Sequence, residues 1–147
     1  MILATTIDRA RFPAGVRVGI GAGDRPDRAW REARTALRFT DSREPVVRYD
    51  QLGALSLLAE IPRGAVRDNG DVAAIDCIAG KPDDLATLDA YCATGSVRQA
   101  AALLNLHHSS VARRLEQIGK ALGIELTHPT GLMRIRLALT ARRLLDD

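Results

Sequence analysis

The stretch that decides the fold of this chain extends from Ser96 to Leu122 and reads SVRQAAALLNLHHSSVARRLEQIGKAL. Ser96 and Gln99, three residues apart, have the form of a capping box and predict a helix that begins at about Val97. Asn105 is expected in the turn after this helix, because a non-glycine residue with a positive φ is most often Asn. The stretch therefore predicts two helices that are joined by a tight turn.

The apolar residues of this stretch predict which surface each helix buries. The inner surface of the first helix is expected to be small and apolar, with Ala100, Ala101, Leu103 and Leu104. Leu106 is expected to plug the turn. The second helix begins near His108 and repeats apolar residues in steps of four, three and four, at Val111, Leu115, Ile118 and Leu122. Its other face carries His108, Ser109, Ala112, Arg113 and Gln117.

This arrangement is typical of a helix-turn-helix, whose second helix lies in the major groove of DNA with its first turns at the base edges. The small side chain of Ala101 would let the two helices cross closely, so we expect Ala101 to be buried. His107 is expected to cap the second helix. An ordinary helical hairpin in an all-α domain is the alternative interpretation of the same pattern.

Three segments around the motif share a known pattern: residues 84–91 (DLATLDAY), residues 100–101 with 106–115 (AA and LHHSSVARRL), and residues 136–139 (RLAL). Together they resemble the C-terminal DNA-binding domain of PucR/CdaR-type transcriptional regulators, over about residues 83–145. That family typically shows Val-His-x-Asn-Thr-(Leu/Val)-x-Tyr-Arg-(Leu/Ile). The pattern is kept at His107, Val111, Arg114 and Leu115. Ser109 stands for Asn, Ser110 for Thr and Arg113 for Tyr.

The resemblance implies a sequence-specific regulator of a metabolic or secondary-metabolism operon, with double-stranded DNA as its partner. The residues expected to face bases are His108, Ser109, Ala112 and Arg113. The residues expected to reach phosphates are Arg98, Ser110 and Arg114, and bracing of the fold is the alternative role of Arg114. A homodimer is expected in the full-length form, because one small reader buries little DNA surface. The effector, a small molecule, stays unidentified.

The first half of the chain carries a second resemblance. Residues 18–21 (VGIG), 30–37 (WREARTAL) and 49–53 (YDQLG) are similar to the second half of the GGDEF-like domain that precedes this DNA-binding domain in the same family. The sequence contains no Gly-Gly-Asp-Glu-Phe signature and no metal-binding carboxylate pair. The expected fold is therefore mostly α, a helix-turn-helix domain after an incomplete α/β GGDEF-like module, in a C-terminal fragment or a shortened regulator.

Local signals predict the remaining elements. Strands are expected at 16–20 and 46–49, with residues 2–7 as a further short strand or a remnant of a cut. Helices are expected at 26–39, 51–61, 72–79, 84–93 (capped by Asp83) and 132–145, with a loop at 63–69. Ala29, Trp30, Ala33, Ala36 and Leu37 are expected on the inner side of the first of these helices. Gly80-Lys81-Pro82 is the clearest boundary and predicts domains at 1–80 and 81–147.

Composition limits the function classes. Hydrophobic residues make up 46% and charged residues 27% of the 147 residues, as in ordinary soluble proteins, and aromatic residues only 3%, so Leu, Ala, Val and Ile must form the core. The formal net charge is +3, but residues 96–145 contain eight basic residues against Glu116 and Glu125. This excess favours a polyanionic partner, with a solvated helix surface as the alternative. No apolar stretch approaches the ~20 residues that span a bilayer, and a cytoplasmic protein is expected.

Other sites are disfavoured by spacing. Cys77 and Cys92 match no metal pattern and are expected to be buried, inert thiols. The histidines are His107, His108 and His128; the adjacent two point in different directions on a helix and no Cys or acid stands at ligand spacing, so no metal is expected. No cofactor is expected either. Gly19, Gly21 and Gly23 lack the G-x-G-x-x-G spacing and are interpreted as turn glycines.

No catalytic constellation is visible, so an enzyme is not expected. The rival functions are a non-catalytic signalling or dimerisation module that binds a protein, and a degenerate cyclase-like nucleotide sensor.

Overall fold

The computed structural model describes Phe12, Pro13 and residues 15–145, and these residues form two compact units, one ending at Leu57 and one beginning at Leu58. The strand or remnant predicted at residues 2–7 lies outside the described residues. The predicted boundary at Gly80-Lys81-Pro82 lies inside the second unit, because the helix before it shares a buried core with the helices after it.

The N-terminal unit is built on a parallel pair of short strands. Strand β1 (Val18–Ile20) pairs with β2 (Val46–Arg48), with Val18 opposite Val46, and helix α1 (Pro26–Arg38) connects them. Helix α2 (Tyr49–Leu52) and a 3-10 helix (Gly53–Glu60) follow. Both predicted strands and α1 are confirmed. The single helix predicted at 51–61 is wrong, because Gly53 has a φ of 51° that ends the α-helix.

Side-chain burial in this unit departs from the prediction at two large residues. Ala36, Val47 and Leu52 form the buried cluster, and Ala36 is 0% exposed. Trp30 and Leu37, expected on the inner side of α1, are 48% and 40% exposed. The small core is therefore formed by these three residues, with the partly buried Phe39 and Tyr49 packed against them, and not by Trp30 and Leu37.

Two glycines, Gly19 in β1 and Gly21 directly after it, allow close packing of a helix against this segment. A Cβ on Gly19 would lie 2.1 Å from the carbonyl oxygen of Ala33, and a Cβ on Gly21 would lie 2.0 Å from that of Ala29. Neither glycine has a positive φ. The interpretation of Gly19 as a turn glycine is therefore wrong, because Gly19 lies in β1. The approach of α1 to this segment requires glycine at both positions.

The C-terminal unit is helical in its described part. Its helices are α3 (Arg63–Arg67), α4 (Gly70–Ala79), α5 (Pro82–Thr94), α6 (Val97–Leu104), α7 (His108–Leu122) and α8 (Pro129–Arg143). Ile75, Leu88, Val111, Ile118 and Ile135 are among the most deeply buried side chains of its single core. The helices thus pack around one apolar centre to which α4 through α8 all contribute.

Three predictions of secondary structure in this unit need correction: one loop and the first residues of two helices. The loop predicted at 63–69 contains the short helix α3. Lys81 rather than Asp83 is the N-cap of α5, because Pro82 takes the first helical position, where its fixed φ and missing N–H are tolerated. The last helix begins at Pro129 instead of Leu132, since His128 caps it through a bond from the Thr130 amide.

Candidate nucleic-acid interface

Helix α6 begins and ends through the predicted local interactions. The Ser96 hydroxyl oxygen accepts a hydrogen bond from the Gln99 amide at 3.4 Å. At the other end, Asn105 has a φ of 53° and a ψ of 41°. Among the residues that the structure describes, it is the only non-glycine residue with a positive φ. The Leu106 amide then donates to the Ala101 carbonyl oxygen at 2.9 Å. The predicted cap and turn are therefore confirmed.

Small residues lie where α6 and α7 pack together. Ala100 is 0% and Ala101 3% exposed, and Val111 on α7 is 0% exposed. Leu115 and Ile118 continue the buried side of α7, and Leu122 is partly buried. This confirms the predicted register of the two helices.

Two leucines of the motif are not placed as expected. Leu103 is 55% exposed, because it lies about 200° around the helix from Ala101 and so faces away from α7. Leu106 is 41% exposed, so its side chain does not plug the turn. The backbone bond from Leu106 to Ala101 closes the turn instead.

His107 holds the N-terminal end of α7. Its Nδ1 atom accepts from the Ser109 amide at 3.3 Å and lies 2.8 Å from the Ser109 hydroxyl oxygen. The His107 and His108 rings are also in contact, with centroids 4.3 Å apart. The predicted cap is confirmed, and it fixes the first turn of the helix that would meet DNA.

The outward side of α7 presents all four residues that were predicted to contact bases. We define the reading face as the exposed residues His108, Ser109, Ala112 and Arg113. Arg113 lies about 200° around the helix from the buried Val111, so the two side chains cannot share a face. Ser110 is exposed on the same turns, and Arg98 is exposed on α6.

Arg114 occupies a different environment from its neighbour. Its Nη1 donates to the Thr87 hydroxyl oxygen at 3.0 Å and to the Asp83 carbonyl oxygen at 3.2 Å. The carboxylates of Asp83 and Asp84 lie 3.6 Å and 3.8 Å from the guanidinium. Arg114 therefore braces α7 against α5, the alternative role that the sequence left open for it.

The basic excess of residues 96–145 is largely paired. Arginines of α8 form ion pairs with aspartates of α4 and α5: Arg134 with Asp71, Arg142 with Asp76 and Arg143 with Asp89. The hydrogen bond with Asp71 raises the pKa of Arg134, and the hydrogen bond from Lys120 lowers the pKa of Glu116. The charge available to a polyanion is therefore smaller than the sequence count indicates.

Three arginines of this segment make no ion pair within the described part of the chain: Arg98, Arg113 and Arg136. Arg136 was not among the predicted site residues. Its guanidinium lies 3.3 Å from the position that a Cβ on Gly95 would take, so it is next to the start of α6. The paired arginines of α8 differ from Arg136 in having an aspartate of an earlier helix beside them in the fold. The sequence around Arg136 gives no signal of that difference.

Of the two cysteines that were predicted to be buried, one is buried and one is exposed. Cys92 is buried, and burial raises the pKa of its thiol to about 12, as expected for an inert cysteine. Cys77 is exposed, so its predicted burial is wrong.

In the described ranges, no group of three His, Cys, Asp or Glu residues is placed to hold a metal ion. No helix there is long and apolar enough to cross a membrane.

Comparison with known proteins gives one finding for this region. Residues 84–141, from α5 into α8, match the model of the PucR C-terminal helix-turn-helix domain. No curated protein matches the chain, and no solved structure does. The match lends support to a PucR-type regulator and indicates a DNA-binding transcriptional regulator.

Proposed function

We propose that this protein is a sequence-specific regulator of a metabolic or secondary-metabolism operon and that its reading face contacts base edges in the major groove. The observation that carries the proposal is the arrangement of α6 and α7. Ala101 and Val111 are buried where the helices pack, and the reading face is exposed on the opposite side of α7. A helix docked in this way brings its first turns to the bases.

The proposed contacts divide into two kinds. Arg113 suits guanine, whose O6 and N7 accept two bonds from one guanidinium, and Ala112 suits the methyl group of thymine. Arg98 and Ser110 are proposed to hold phosphates, which position the helix but carry no sequence information. Arg114 is left out of the proposed contacts because its guanidinium is bonded to α5.

Charge also supports this assignment. No Asp or Glu occurs between Asp89 and Glu116, so the segment that holds the reading face contains no carboxylate. Glu116, at the far side of that gap, is neutralised by Lys120 at 2.7 Å. A phosphate backbone approaching the first turns of α7 would therefore meet cations and hydroxyl groups.

The N-terminal unit is proposed to derive from a GGDEF-like module, on the order of its motifs and the parallel β1–α1–β2 connection. The full-length regulator is proposed to act as a homodimer on a two-fold site, since a single reader buries little DNA. We therefore expect one chain alone to bind weakly.

The salt dependence of binding to a nonspecific duplex tests the proposal. Neutralised phosphates release counterions, so two to three arginines at the DNA should give a log–log slope of about −2 to −3 for one chain. Fluorescence anisotropy gives this slope when the dissociation constant is measured at salt concentrations from about 50 to 200 mM. A flat response would contradict DNA binding and favour the protein-binding module.

A further inference from the structure

Arg136 differs from the other arginines of α8 in the surroundings of its guanidinium. Arg134, Arg142 and Arg143 each form an ion pair with an aspartate of α4 or α5. Arg136 is exposed, and within the described residues its guanidinium takes part in neither an ion pair nor a hydrogen bond. Its positive charge is therefore available to an anion from outside the chain.

The guanidinium of Arg136 lies beside the turn that joins α5 to α6. One of its nitrogens is 3.3 Å from the position that a Cβ on Gly95 would take. Gly95 ends α5 with a φ of 68°, a conformation that suits glycine, and its lack of a side chain leaves this place to the guanidinium. Burial raises the pKa of the Cys92 thiol, whereas the charge of Arg136 lowers it, in agreement with a position near the last turn of α5.

The start of α6 and the reading face border the same surface cavity. Val97, the first residue of α6, lines this cavity together with Ala112 of the reading face. Arg98, which follows Val97, is exposed and is one of the proposed phosphate contacts. Gly95 precedes Val97 by only two residues. Arg136 therefore lies close to the groups that are proposed to meet DNA, although it belongs to a helix outside the motif.

The docking geometry of a helix-turn-helix gives this position a partner. When the second helix lies in the major groove, the first helix crosses the phosphate backbone. Here the first helix is α6, and Arg136 is beside its start. A guanidinium in that place would meet phosphate oxygens, to which it can donate two parallel hydrogen bonds. Asp89, the acidic residue that precedes the turn, is paired with Arg143 and leaves Arg136 to the phosphate.

We propose that Arg136 is a phosphate contact of the DNA complex, so that the DNA-binding surface extends beyond the helix-turn-helix onto α8. The inference rests on the proposed function. It adds one cation to Arg98 and Arg113. Each neutralised phosphate contributes about −0.9 to the log–log salt slope, so three arginines give about −2.7 and two give about −1.8. Because phosphates are the same in every sequence, the contact adds affinity without base preference.

The experiment compares the full chain with its Arg136→Ala variant on a nonspecific duplex, at salt concentrations from about 50 to 200 mM. The slope of the variant should be smaller by about 0.9, and its affinity near 0.1 M salt roughly five- to tenfold lower. The loss should be equal on a duplex selected for tight binding and on its single-base variants. The melting temperature should be almost unchanged, because Arg136 is exposed.

Two further variants separate a local contact from an effect of net charge. Arg134→Ala removes the same charge from the same helix, but from an arginine that donates to Asp71 at 2.7 Å, so the salt slope should stay at the wild-type value. Arg136→Lys should keep most of the slope, because an ammonium group also binds phosphate as a point charge.

The outcomes distinguish this inference from the proposed function. Wild-type binding whose slope and affinity are the same in Arg136→Ala would overturn the inference alone. So would an equal fall in Arg134→Ala, a slope lost in Arg136→Lys, a change confined to one base pair, or a large fall in the melting temperature of Arg136→Ala. Absence of wild-type binding to any duplex would overturn the proposed function, and the inference with it.

Discussion

On one side of α7, Val111, Leu115 and Ile118 are buried in the core of the C-terminal unit, whereas on the other side Ser109, Ala112 and Arg113 are exposed. The two sides alternate within two or three positions of the same helix. Folding and recognition therefore depend on different residues of one short segment. Substitutions on the buried side should change mainly folding stability, and substitutions on the exposed side should change mainly recognition of DNA. This separation can be tested.

The buried side should give the largest effect. Ala101→Glu places a charge without a partner where α6 and α7 pack, and we expect it to lower the free energy of unfolding by about 3–5 kcal/mol. Urea denaturation followed by circular dichroism measures this. Ala102→Glu, at the exposed neighbouring position, is the matched control and should change stability by less than about 0.5 kcal/mol. Equal stability of the two variants would show that the helix register is wrong.

The exposed side should affect DNA rather than folding. Arg113→Ala should cost about 1–3 kcal/mol at one base position if Arg113 makes two bonds to guanine, with an almost unchanged melting temperature. Titration on a duplex selected for binding from a randomised library, and on its single-base variants, measures this cost. Arg34→Ala removes an exposed arginine from the N-terminal unit and serves as the charge control. A large fall in melting temperature with unchanged affinity would mean that Arg113 is structural.

Arg114 should behave in the opposite way to its neighbour. Arg114→Ala removes the donor to Thr87, which is fully buried, and should lower the free energy of unfolding by about 1–2 kcal/mol. The guanidinium is partly exposed, so solvent screening keeps the effect modest. Base preference should not change. A loss of affinity equal for all duplexes, without a loss of stability, would instead return Arg114 to the phosphate contacts.

The turn between the two helices should give the smallest effect. Asn105→Gly should change stability by only a few tenths of a kcal/mol, since glycine adopts the left-handed conformation freely. Asn105→Ala should cost about 1 kcal/mol, because alanine lacks the short polar side chain that makes the observed φ of 53° tolerable for asparagine. Thermal denaturation of both variants ranks them. Equal melting temperatures would show that the turn has a different conformation in solution.

The sequence predicted α6, the turn and α7 well because their signals are local. The Ser96 cap, the left-handed Asn105 and the spacing of Val111, Leu115 and Ile118 each depend on residues within about one turn of helix. The exposure of Leu103 follows from its position about 200° around α6 from the buried Ala101 and could not be deduced from apolar character alone. The role of Arg114 was left open, since its partner Thr87 lies 27 residues away.

The charge of the C-terminal half was the least predictable property. Three of its arginines, all on α8, are paired with aspartates on α4 and α5, which come earlier in the chain, so a count within one segment overstates the free charge. The short helix α3 was also missed, and the 3-10 helix was predicted as part of one longer helix, because five to eight residues give too weak a periodic signal. Burial of Cys77 was expected from its residue type and its apolar neighbours in the sequence, whereas Cys77 is exposed on its helix.

The ion pairs of α8 also bear on the order in which the C-terminal unit assembles. Arg134 and Arg142 reach aspartates 63 and 66 residues earlier in the chain, whereas the cap and turn contacts of α6 and α7 join residues within about one helical turn. Closing the longer loops has the greater entropic cost, so contacts of high sequence separation form slowly. We therefore expect the helix-turn-helix to form early during refolding, with the docking of α8 onto α4 as the slower step.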